Sequence, residues 1–108
     1  MLASVNPWLL LVVAGLAEIG WAVGLKASDG FTRIGPAIAT VVLAGLSFWL
    51  LAQAMRGLPV GTAYAVWVGI GAVGVAIAGI VLFGEAASAV RLAGVGLILA
   101  GIVLLKTG

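Results

Sequence analysis

The stretch PWLLLVVAGLAEIGWAVGLK, residues 7–26, decides the fold. Its length is the roughly 20 residues that an α-helix needs to cross a hydrocarbon core of about 30 Å. Asn6 followed by Pro7 makes a helix start, an N-cap with proline at the first helical position. Lys26 and the turn Ser28-Asp29-Gly30 close it. Between those ends stands one ionisable residue, Glu18. Placing a carboxylate near the middle of a membrane helix costs at least ~2.5–3.5 kcal/mol on insertion scales. Such an acid must face a protein interior, meet a partner or carry a function. Left unpaired, it can hold a proton or a cation, and not both at once, which is the property a transporter needs.

Outward from this segment, three more apolar runs follow, over about 34–55, 59–83 and 88–105. Gly35-Pro36 opens the second, and Arg56-Gly57 closes it. Pro59 opens the third, Gly84-Glu85 ends it, and the fourth runs from Ser88 to Leu105, with Lys106 at its end. None shows the period-two alternation of a barrel strand. The fold class expected is an all-α membrane protein, a single domain of four transmembrane helices over 1–108.

Composition agrees. Of 108 residues, 65% are hydrophobic and 7% charged, more apolar surface than a soluble fold of this size can hide. Seventeen glycines suit closely packed membrane helices. Without cysteine or histidine there is no disulfide framework, thiol nucleophile, or usual zinc or haem ligand. No cofactor or metal is expected. One mid-membrane ionisable group argues against an enzyme, and a scattered net charge of +2 against nucleic acid. No Lys or Arg precedes the first apolar run, so no cleavable leader is expected.

The loops carry almost no orientation bias. Four spans place Arg56 and Lys106 on one side, and Lys26, Arg33 and Arg91 on the other. Either a weak preference wins, or the chain inserts both ways round.

On the first helix, Leu11, Ala14, Gly15, Glu18, Trp21, Ala22 and Leu25 share a face. Trp21 offers an indole N–H and a flat wall one turn from the acid; its other reading is an interfacial anchor, the role better suited to Trp8. Tyr64 and Trp67 share a face of the third helix, and both rings can meet a cation. Their other reading is packing at a helix end. Gly69, Gly71, Gly74 and Gly79 mark close crossings or a bend. Ser47, mid-span on the second helix, can bond Glu18 or its own helix. The fourth helix is a packing seam, with Gly94, Leu97, Ile98 and Gly101. Four helices are few for a path gated on both sides, and the chain holds no second copy of itself. Two copies in opposite orientations would supply the inverted repeat found in many transporters.

The residues Ala17-Glu18, Gly30-Phe31-Thr32-Arg33, SFWLLAQ (47–53) and LPVGTAYAVWVG (58–69) resemble the small multidrug resistance family over essentially the whole chain. WAVGLK (21–26) and GTAYAVW (61–67) are similar to its guanidinium-exporter branch. The resemblance implies a four-helix, antiparallel, dual-topology homodimer in the bacterial inner membrane, exchanging protons for guanidinium or related small cations. It makes Glu18 the shared proton and substrate site, Trp21 and Ser47 its hydrogen-bond partners, Tyr64 and Trp67 pocket walls, Gly15 a close-approach position in the same pocket and the fourth helix the main dimer contact. Two features depart from that branch: Val68 stands where a small hydroxyl residue is expected, and SFWLLAQ resembles the multidrug branch. The second reading is therefore a promiscuous quaternary ammonium exporter. A reading of another class, a small structural or regulatory membrane subunit, leaves Glu18 with no task.

Overall fold

The computed structural model describes residues 5–108; residues 1–4, part of the stretch read for a leader, lie outside the described residues. The chain forms four helices: α1 (Pro7–Ala27), α2 (Ile34–Ala54), α3 (Val60–Phe83) and α4 (Ala89–Thr107). All are long and apolar enough to cross a membrane.

Their ends follow from local chemistry. The Asn6 side chain accepts from the Trp8 backbone N–H at 2.9 Å, and Pro7, which has no N–H to satisfy, follows it. After α1 the chain turns on Ser28, whose hydroxyl donates to the Leu25 carbonyl at 2.7 Å and accepts from the Phe31 N–H at 3.1 Å. Pro59 caps α3 rather than starting it, so that helix begins at Val60. At its far end Gly84 takes φ 67°, a left-handed turn that favours glycine, and the Glu85 N–H reaches back to the Gly79 carbonyl at 3.1 Å. Ser88 caps α4 by accepting from the Arg91 N–H at 3.2 Å. α4 continues two residues past the expected end at 105, to Thr107.

In space the helices lie in the order α2, α1, α3, α4: α1 packs on both α2 and α3, and α4 leans on α3. The result is a slab, 38 × 35 × 17 Å in extent. Its core gathers Leu10, Leu11 and Ala14 of α1, Leu50, Leu51 and Ala54 of α2, and Ala63, Val66 and Trp67 of α3. These residues belong to the half of the slab nearer the α2–α3 connection. At that end the Lys106 Nζ sits 5.5 Å from the Trp8 ring centre, a cation–π contact.

Small residues set the spacing, as expected where lipid supplies no hydrophobic drive between helices. A Cβ at Gly15 would collide with Ile70, and one at Gly74 with Ile19, so α1 and α3 interlock by glycine notches. Gly69 receives Ile98 and Ile102 of α4 in the same way. α4 itself has no buried residue.

Candidate functional site

Glu18 is half-buried on α1, just past the core. Its carboxylate rests against α3 at Gly71, where any side chain would overlap it. The glycine at 71 is thus what leaves the acid its place. Glu18 Oε1 is buried and has no hydrogen-bond partner among the described residues. The indole Nε1 of Trp21, one turn along the same face, is likewise buried and unpartnered.

Neither hydrogen bond expected for Glu18 forms inside the protomer. Ser47 turns elsewhere: its hydroxyl donates to the Ala14 carbonyl of α1 at 2.7 Å and accepts from the Trp67 indole N–H at 2.9 Å. It bonds neither the acid nor its own helix, but ties all three core helices together one turn before Glu18. Ser47 is fully buried and Trp67 is 4% exposed, so this network is dry.

Trp67 leads to a row of rings. Tyr64 and Trp67 lie 5.6 Å apart between centroids, Trp67 and Phe48 5.6 Å, and Phe48 and Trp21 6.3 Å, all tilted. The row runs from α3 across α2 to α1 and ends beside the acid. Tyr64 is 54% exposed, so one end opens outward. Phe48 joins both tryptophans, and the reading of the sequence missed it as a site residue. A signal existed, since it directly follows Ser47.

Gly15, assigned above to the pocket, is buried and opposed by Ile70, so within the protomer it sets the α1–α3 spacing. Gly94 and Gly101 have nothing near them, and Leu97 is 75% exposed, whereas Ile98 packs toward Gly69 of its own chain. Along the α4 seam, positions 94, 97 and 101 are open, and Ile98 touches α3 while staying 38% exposed. Among the described residues no cluster of metal-ligating side chains occurs. What the arrangement offers is one free carboxylate, one free indole N–H and a wall of aromatic faces. That set can bind a proton or a small organic cation.

The family model for the Small Multidrug Resistance protein matches residues 6–98. A protein of Yersinia pseudotuberculosis serotype I (strain IP32953) named "Guanidinium exporter" is 62% identical over 99 residues, covering 92% of this chain and 95% of its own. Proteins of the same name from Escherichia coli (strain K12) and Citrobacter freundii are 60% and 59% identical, over 92% of this chain and 94% of theirs. Four membrane-crossing helices and this kinship make it a multi-pass protein of the bacterial inner membrane. The chain belongs to the small multidrug resistance protein family.

Proposed function

We propose that this chain exports guanidinium and related small guanidinyl cations in exchange for protons, by alternating access in an antiparallel, dual-topology homodimer. One observation carries the reading: a buried acceptor on Glu18 and a buried donor on Trp21 stand one turn apart, both unpaired. Leaving such groups unsatisfied costs about 1–3 kcal/mol each. A small rotation of Trp21 toward the acid removes that cost for both groups, and an entering guanidinium donates to the carboxylate and satisfies its side of it. Guanidinium suits the site because it is planar, keeps its charge, and presents a fork of N–H donors to a carboxylate. Proton and cation compete for the same oxygens, so apparent guanidinium affinity falls as pH falls. Exchange follows if the loaded dimer reorients and the empty, charged one does so poorly.

The open positions Gly94, Leu97 and Gly101 support a dimer contact along α4, since small residues let membrane helices approach closely. Oppositely inserted copies would face their two Glu18 side chains into one chamber. A second reading, quaternary ammonium export, is favoured by the ring row from Tyr64 to Trp21, because such cations bind aromatic faces without needing hydrogen bonds. Liposomes holding the purified chain alone decide between them. Under an imposed pH gradient, guanidinium should move and drive proton flux, with tetraalkylammonium ions moving more slowly. The reverse order would favour the second reading.

A further inference from the structure

A cavity of about 390 Å³ holds charges that the Glu18 site does not use. Its inner wall includes Ala22, one turn beyond Glu18, and Ala72, next to Gly71. Its outer end carries Lys26, Glu85 and Arg91. The cavity thus runs from near the level of Glu18 to the end of α1, where Lys26 lies about 12 Å of helix rise beyond the acid.

The fold seats Glu85 with care. Gly84 turns the chain back, and the Glu85 carboxylate lies over Gly79, where a Cβ would collide with it. This puts an acid at the C-terminal end of α3, where the helix field is already negative. The acid therefore needs a cation. Arg91 provides one through a single 3.4 Å contact, its other terminal nitrogen donating to the Ala86 carbonyl at 3.0 Å. A carboxylate can accept two parallel N–H bonds from a guanidinium; Arg91 gives it one long one. Both side chains are nearly half exposed, at 46% and 43%. The Arg91 head group is, chemically, a guanidinium.

We propose that Glu85 is an outer binding site for guanidinyl cations, where the incoming cation displaces the Arg91 head group before passing along the cavity toward Glu18. The inference rests on the guanidinium reading above. A free planar cation can approach the carboxylate with both donors, which the tethered Arg91 does not. A quaternary ammonium has no donors with which to compete. Lys26 repels whatever cation arrives and keeps occupancy brief.

The test uses the reconstituted full chain as wild type, Glu85→Gln, Arg91→Gln and the double variant, with guanidinium-driven proton flux read at low and high salt. At low salt Glu85→Gln should raise the half-saturating guanidinium concentration about three- to tenfold with the maximal rate unchanged. Arg91→Gln should lower it, and Arg91→Lys, which keeps a cation in the hairpin, should lower it less. The double variant should remain as impaired as Glu85→Gln. It carries the wild-type net charge, so wild-type behaviour there would reduce the effect to mouth charge and overturn the site. An Arg91→Gln protein that is no better than wild type overturns it too, as does a Glu85→Gln loss that scales with anionic lipid content, which would assign the cluster to lipid headgroups. Wild type moving guanidinium with unresponsive variants contradicts the outer site alone; wild type moving none contradicts the export reading as well.

Discussion

The Ser47 hydroxyl of α2 donates to the Ala14 carbonyl of α1 at 2.7 Å, across 33 positions of sequence. That carbonyl is the helical acceptor, four residues back, for the backbone N–H of Glu18. Ser47 therefore grips α1 one turn before the acid, while Trp67 grips Ser47 from α3 at 2.9 Å. The helix that carries the carboxylate is held by both neighbours at the same level.

Ser47→Ala breaks this clamp. It strands the Trp67 N–H in a dry site, at a cost of about 1–3 kcal/mol. The protein should still insert, but with lower thermal stability in detergent and weaker binding of cations. Ser47→Thr, which keeps the hydroxyl, should lose less. Thermal unfolding of the three proteins side by side checks this; equal stability for wild type and Ser47→Ala would show that the network adds nothing.

Gly71→Ala should disable exchange without unfolding the chain. The added methyl takes the place of the Glu18 carboxylate, which must swing away from α3. Gly45→Ala, on an exposed face of α2 with nothing near an added methyl, serves as the control for adding a methyl to a membrane glycine. Guanidinium transport by the two variants should differ at least tenfold, the size of a misplacement worth about 1.4 kcal/mol.

Much of this was legible in the residues. Helix ends at Asn6-Pro7 and Gly84 follow from capping and from a left-handed turn, both local effects. A lone acid in an apolar span is equally local, so Glu18 stood out. Ser47 was different. Its partner is a main-chain carbonyl on another helix, and only the crossing of α1 and α2 decides which carbonyl lies within reach. Gly71 is legible as a close-crossing glycine but not as the seat of Glu18, and Phe48 is not legible as a site residue: one matters because Glu18 leans on it, the other because two tryptophans flank it, and neither relation has a sequence spacing. The close approach expected at Gly15 is to Ile70 of α3, a partner that spacing on α1 alone does not reveal.

Trp21→Gly should separate substrate classes. Under the proposed rotation of Trp21 toward Glu18, the variant forgoes an N–H bond to a charged group, about 1.5–3 kcal/mol or roughly ten- to a hundredfold in affinity. Guanidinium, whose donors point in set directions, should suffer that loss. Small quaternary or alkylated cations need charge and room, and should lose less. Equal losses for both classes would make Trp21 a packing residue.

Orientation should be mixed, as the balance of two against three cationic residues across the membrane implies. Single cysteines placed in the α2–α3 connection of this cysteine-free chain should be labelled from both sides of the membrane. Labelling from one side alone would exclude the dual-topology homodimer.

The central claim is that Glu18 holds proton and cation in turn. Glu18→Gln keeps the shape and removes the charge, so the variant should insert and dimerise. The decisive measurement is guanidinium uptake driven by a pH gradient, in liposomes containing wild type or Glu18→Gln at equal density. Wild type should show coupled uptake, with proton movement in the opposite direction, and the variant none above protein-free liposomes. Robust gradient-driven uptake by Glu18→Gln would contradict the account.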